Sequence, residues 1–302
     1  MPKAEPVVRR ICRSILAPVR RALGVQSLLD QTEHLRISIE RLGESSEFYA
    51  RDVLAVLANT NPIFPDPAIT LETQHPVAIL SDDHNHPRGT GRDNTRYPRF
   101  CYRCEEIFNR RLRFLDLGCA GGGLVLDFLL RGHLGIGLEG SDYSKKRQRA
   151  EWRVLPQHLF TCDITKPFRL TSRIDGQPVQ FDVISAWEVL EHLPEGALQL
   201  FFTNVRNHLA DGGVFAASVA TFEDRDPETG AVWHVTIKPR EWWIDKANRN
   251  GMVAVTGLFT PPDFPRGSGN PLSRWGDWNV EKNPDYGFHL VLQKTKIAGE
   301  SA

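Results

Sequence analysis

The sequence lacks several things, and each absence closes off a class of function. No apolar run approaches the roughly 18 residues of a membrane span, so a membrane-crossing protein is not expected. A disulfide framework is missing too. The five cysteines, Cys12, Cys101, Cys104, Cys119 and Cys162, are scattered and odd in number, which suits a reducing cytoplasm. Net charge is zero. Residues 1–21 carry +5 and the other 281 carry −5, so the body of the chain has no basic stripe, and nucleic acid is disfavoured as a substrate. Arginines interrupt the apolar pattern of residues 1–21, unlike a secretory signal. The strict dinucleotide fingerprint GxGxxG fails because Ala120 stands where its second glycine belongs, and no catalytic Tyr-x-x-x-Lys is evident.

What is present centres on residues 113–123, RFLDLGCAGGG. A short apolar run ends in Gly118, then Gly121 to Gly123, then an apolar segment at helical spacing. Strand, glycine turn and helix open a nucleotide-binding α/β unit, in which the backbone approaches a ligand closely. The acid inside the strand end, Asp116, is a poor partner for pyrophosphate and a good one for an ammonium group. Glu139 ends the next apolar strand, about 20 residues on, where a carboxylate can bond ribose hydroxyls.

From residue 113 onward strands and helices alternate, the pattern of a parallel sheet. Ser141 or Asp142 caps a basic helix. A strand ends at Cys162-Asp163, and another, 181–186, runs into Trp187 and Glu188. A helix over 195–210 leads through a glycine turn to a strand at 214–220, and two final strands follow at 252–260 and 286–295.

Upstream, residues 7–23 form an amphipathic basic helix, suited to an anionic membrane surface or an assembly partner. Two more helices over 27–59 could pair in a homo-oligomer. Residues 60–111 read as a linker and a polar lid or acceptor segment. Within that stretch Cys101 and Cys104, with His84 and His86, have zinc-ligand chemistry. Their spacing fits no common zinc module, and burial of both cysteines on one helix face is favoured.

The series from about 112 to 297 resembles the class I S-adenosylmethionine (SAM)-dependent methyltransferases. The resemblance rests on Asp116 with its glycines, Glu139, Asp163, EVLEHL over 188–193 and the Gly212-Gly213 turn. LEGSDYS, LFTCDIT and AWEVLEHL are similar to methyltransferases of bacterial surface-polysaccharide biosynthesis, and EVLEH to ubiquinone-pathway O-methyltransferases. The resemblance implies a Rossmann-like α/β fold and SAM as cofactor. It implies a cofactor site of Asp116, Gly118, Cys119, Ala120 and Gly122, then Glu139, Gly140 and Ser141, then Cys162, Asp163 and Ile164, with Trp187 last. Asp163 would bond the adenine amino group. The acceptor would be a glycan, a lipid-linked sugar or a small molecule, in the cytoplasm or at the inner face of its membrane.

Methyl transfer to a hydroxyl needs alignment and removal of one proton. The candidate catalytic residues are His192, His234 and Glu188. A histidine base ordinarily titrates near 6.5. Glu188, Glu191 and His192 stand at i, i+3 and i+4, and would share one face of a helix. With His234 they form a candidate site for Mg²⁺ or Mn²⁺, as the similar Glu-x-x-Glu-His of small-RNA 2′-O-methyltransferases implies. Two other classes compete: an NAD(P)-dependent oxidoreductase, and a non-catalytic SAM-binding subunit.

Overall fold

The glycine-terminated strand is the hub of the structure. The computed structural model describes residues 64–269 and 278–295, with isolated positions before them. The chain divides into two compact units, 1–53 and 54–302. In the first, only isolated helical residues such as Leu28 and Leu35 are described. The expected membrane helix at 7–23 lies outside the described residues, as does nearly all of the expected pairing region at 27–59.

In the second unit, β2 (Arg113–Leu117), β3 (Leu134–Glu139), β4 (Leu159–Thr161), β6 (Phe181–Trp187) and β7 (Leu209–Ala220) run parallel. The order across the sheet is β4-β3-β2-β6-β7-β9-β8, where β9 (Gly287–Lys294) and β8 (Met252–Ala254) close one edge antiparallel. Both expected final strands are present, although β8 is only three residues long. Alternating side chains feed two cores. Phe114, Val183, Val214 and Ala216 face one side, and Leu115, Ile184, Phe215 and Ala217 face the other. On the first side, α3 (Pro98–Phe108) and α4 (Gly123–Leu130) contribute Phe100 and Phe128. On the second, α6 (Leu198–His208) and α7 (Arg240–Arg249) contribute Phe201, Phe202 and Trp243.

Two pieces depart from expectation. Residues 60–111 are more than a linker. They hold β1 (Ile69–Thr73), two short helices, α1 (Asp82–Asn85) and α2 (Gly89–Arg92), and α3. Strand β1 pairs antiparallel with β5 (Phe168–Ser172) in a second, two-stranded sheet. Helix α3 starts where proline is tolerated, at Pro98, and stops at Asn109 in the left-handed region. The EVLEH stretch is not a helix. Glu188 has φ +54, and only Leu190–His192 form a 3-10 turn, so Glu188, Glu191 and His192 share no helical face.

Candidate active site

The sheet order reverses at β2, with β3 on one side and β6 on the other. In such sheets the crevice beyond the strand ends, at the point of reversal, is where ligands lie. A cavity of about 980 Å³ occupies that place, at the upper end of ligand-site volumes.

Its sheet-side wall is made of strand-end loops. Gly118 has φ +77, and a Cβ there would come within 2.5 Å of Val189 Cγ2. A Cβ on Gly121 would meet Asn94 Oδ1 at 2.3 Å, so the segment before α3 lies directly on the glycine turn. The Ala120 peptide is clamped at both ends. Its amide donates to Glu139 Oε2 at 2.7 Å, and its carbonyl accepts from Trp152 Nε1 at 2.8 Å. Glu139 Oε1 accepts from Ser141 N at 3.1 Å. Burial pushes the Glu139 carboxyl up to about 7, and the two amides oppose that rise.

The structure sorts the sequence candidates. Gly118, Ala120, Glu139, Gly140, Ser141, Asp163, Ile164 and Trp187 line the cavity, as do Glu188, His192 and His234. Asp116, Cys119, Gly122 and Cys162 do not reach its wall. Asp116 lies behind the turn, where it accepts the Ser185 hydroxyl at 2.6 Å, and burial raises its carboxyl to about 7. The ammonium contact expected of Asp116 is not made from this cavity wall, since its Oδ1 is turned to Ser185. Asp163 accepts from Thr165 N and Oγ1, which shapes the turn beside Ile164.

The facing wall gathers residues far apart in sequence. The His234 Nδ1 faces the Phe222 carbonyl at 2.7 Å. A carbonyl only accepts, so Nδ1 carries the proton and Nε2 keeps its lone pair. Burial, with His192 nearby, lowers His234 to about 4, well below the 6.5 of a free histidine. Its Nε2 is 4.0 Å from Glu191 Oε1 and 3.9 Å from Asp224 Oδ2. The His192 and His234 rings meet edge to face with centroids 4.9 Å apart. Burial alone would lower His192, yet the Asp83 carboxylate, 2.8 Å from its Nδ1, raises it. Glu191 is fully buried, and its Oε1 accepts from Ala220 N. Burial and then Glu188 push its carboxyl up to about 8.

Of the four candidate metal ligands, Glu191, His192 and His234 bring their ligand atoms within 4.8 Å of one another. The zinc set does not assemble. Cys101 and Cys104 are buried in the core behind the sheet, whereas His84 lines the cavity. Cys101 instead neighbours Glu105 and His133. There Leu112 N donates to His133 Nδ1, so the protonated Nε2 donates to Glu105 at 2.8 Å, and Arg131 also holds Glu105.

Sequence reasoning missed the groups that roof the cavity. Arg88 pairs with Asp224 and lies 3.9 Å over the Trp233 ring. Asp82 accepts from Val232 N at 2.7 Å. Arg266 pairs with Asp93 at 2.5 Å, and both Arg266 and Trp278 line the cavity. The only signal was compositional: the mix of Asp, His and Arg in 81–96 marked that segment as a lid.

Fold and site together define a Rossmann-like α/β protein with its cavity at the switch point of a parallel sheet. The methyltransferase-domain family matches residues 91–254, more than half of the chain. The chain belongs to that family, and it is a SAM-dependent methyltransferase of class I architecture. The oxidoreductase alternative is thereby set aside. No curated protein matches the chain. Several solved structures are similar to it. The CcbJ methyltransferase from Streptomyces caelestis is 13% identical, covering 72% of this chain and 96% of its own, with TM-score 0.46. A SAM-dependent methyltransferase from Clostridium acetobutylicum is 14% identical, over 71% and 96%, with TM-score 0.45. The glycopeptide N-methyltransferase MtfA is 18% identical, over 67% and 90%, with TM-score 0.42. Among the described residues no helix is long and apolar enough to cross a membrane.

Proposed function

We propose that the enzyme O-methylates a hydroxyl on a glycan, a lipid-linked sugar or a small-molecule acceptor, with His234 as the general base. The observation that carries this reading is the His234 tautomer. With Nδ1–H committed to the Phe222 carbonyl, a neutral Nε2 stands in the cavity wall beside His192. Bound SAM supplies an electrophilic methyl group. Glu139 and Ser141 would hold its ribose hydroxyls, and Asp163 and Ile164 its adenine; Gly118 and Ala120 would leave room for its methionine end. His192 would orient the acceptor hydroxyl, and His234 Nε2 would take its proton as the oxygen–carbon bond forms. The donor leaves as a neutral thioether.

A second reading uses Mg²⁺ or Mn²⁺ on Glu191, His192 and His234. Their mutual proximity favours it. Glu191 Oε1 is already occupied by Ala220 N, whereas its Oε2 is buried without a hydrogen-bond partner among the described residues and is the atom a cation would take. The acceptor itself would be supplied by surface-polysaccharide synthesis in the cytoplasm. Attachment to the inner face of the membrane or to an assembly would run through residues 1–23, and pairing of copies through 27–59.

The deciding experiment is transfer of labelled methyl from SAM to fractionated cell extract, with and without EDTA. Transfer to a hydroxyl that survives EDTA supports the base reading. Loss on EDTA with rescue by Mg²⁺ or Mn²⁺ favours the metal. SAM binding without transfer to any fraction would leave a non-catalytic SAM-binding subunit.

A further inference from the structure

Asp83 stands 109 positions before His192, and nothing in its local sequence marks it for chemistry. It sits in α1, a helix of four residues that Ser81 caps by accepting from Asp83 N at 3.2 Å. Helix α1 belongs to the cavity roof, and its two acids face different partners. Asp82 accepts the Val232 amide at 2.7 Å and pins α1 to the segment that carries His234. Asp83 reaches the His192 Nδ1 at 2.8 Å. A carboxylate can only accept here, so the bond fixes a proton on Nδ1, and in the neutral ring it leaves the other nitrogen with its lone pair.

We propose that Asp83 is a positioning residue: its carboxylate selects the Nδ1–H tautomer of His192 and turns the opposite nitrogen toward the cavity beside His234. In their neutral forms both histidines then present Nε2 as an acceptor. One is set by a backbone carbonyl inside its own segment, the other by a side chain from the roof. The other ionisable groups around His192 are Glu188 and Glu191 on its own loop and His234 on the neighbouring segment. None of these makes the Nδ1 contact. Seating the roof and orienting His192 are therefore one event, and an acceptor that displaced α1 would lose the oriented imidazole with it. The kinetic part of this inference rests on the methyl-transfer reading; the tautomer part does not.

Two adjacent substitutions separate positioning from roof anchoring. Asp83→Ala is expected to lower kcat at least about tenfold, with acceptor KM and SAM affinity within about twofold. In the ¹⁵N spectrum of histidine-labelled protein, the His192 Nδ1–H signal should give way to the other tautomer. Asp82→Ala is expected to raise acceptor KM while His192 keeps its Nδ1 proton. Should Asp83→Ala fail to fold, by melting and SAM titration, the wild-type spectrum carries the test, since a neutral His192 protonated on Nε2 overturns the proposal. An unchanged His192 tautomer in the Asp83 variant overturns the proposal, as does the same kinetic change in both variants. Absence of turnover in the wild type would sink only the methyl-transfer reading, because the tautomer switch is read without turnover.

Discussion

On the sheet side of the cavity, where SAM is proposed to lie, backbone does most of the holding. Glu139 takes the amides of Ala120 and Ser141, and Gly118 turns at φ +77 against Val189. The loops are short and stand at the ends of buried parallel strands. On the facing side, side chains from distant segments hold one another: Arg88 with Asp224 and Trp233, Asp83 with His192, Arg266 with Asp93. The first wall is fixed by the sheet. The second depends on long excursions that meet only when all of them are folded. A cofactor common to many enzymes suits the first construction, and a particular acceptor suits the second, because loops can vary without disturbing the strands.

The sharpest way to break this contrast is at the histidines. His234→Ala is expected to cost about 10²–10⁴-fold in methyl transfer while SAM affinity stays put in calorimetry. Weakened SAM binding in that variant would mean that the two walls are not independent. On the opposite wall, Glu139→Ala should weaken SAM binding by about 1–3 kcal/mol, the loss of a charged hydrogen bond. Asp116→Ala should instead lower the melting temperature more than the SAM affinity, since its partner is Ser185. A large affinity loss for Asp116→Ala with unchanged melting would place that carboxylate back on the ligand.

The pH response sharpens the contrast further. With His234 lowered to about 4, its own protonation should not limit kcat until about pH 5, whereas His192, raised by Asp83, sets an acid limb at or above 6.5. That limb should move down in Asp83→Ala; a limb fixed near 6.5 in that variant would show that His234 is not the base. Stability has the opposite sign. Asp116 and Glu139 are raised to about 7 and Glu191 to about 8, and the folded protein holds their protons more tightly than the unfolded chain. Their contribution is complete below about pH 4 and is lost as pH rises through 7–8. The raised His192 acts in the same direction, and the lowered His234 opposes them below 6.5. Melting scans of the apo protein should show stability falling from pH 6.5 to 8. The smallest effect is expected at the roof. Arg88→Ala should raise acceptor KM severalfold, because a partly exposed ion pair contributes about 1 kcal/mol or less, and should leave SAM binding alone.

Much of this was legible in the residues. The strand before Gly118 and the succession of the later strands follow from apolar periodicity and glycine turns, which are local signals. Glu139, Asp163 and Trp187 were findable for the same reason, since each sits at the end of a readable strand. The EVLEH stretch misled, because i, i+3, i+4 spacing implies a shared face only in a helix. A left-handed Glu188 breaks that geometry before the 3-10 turn begins. Strands β1 and β5 escaped notice because each is short and pairs with a partner about 100 residues away.

The sequence by itself determined the sheet, the glycine turn and the acids at the strand ends, because short-range periodicity and backbone conformation suffice to place them. Only the tertiary structure decided which acid lines the cavity. Glu139 lines the cavity and Asp116 does not, although both end a strand beside the glycine turn. It also decided the protonation of the two histidines. Their tautomers depend on the Phe222 carbonyl and the Asp83 carboxylate, and the state of His234 depends on how deeply it is buried. Those are properties of packing across more than 100 positions, and no local spacing encodes them.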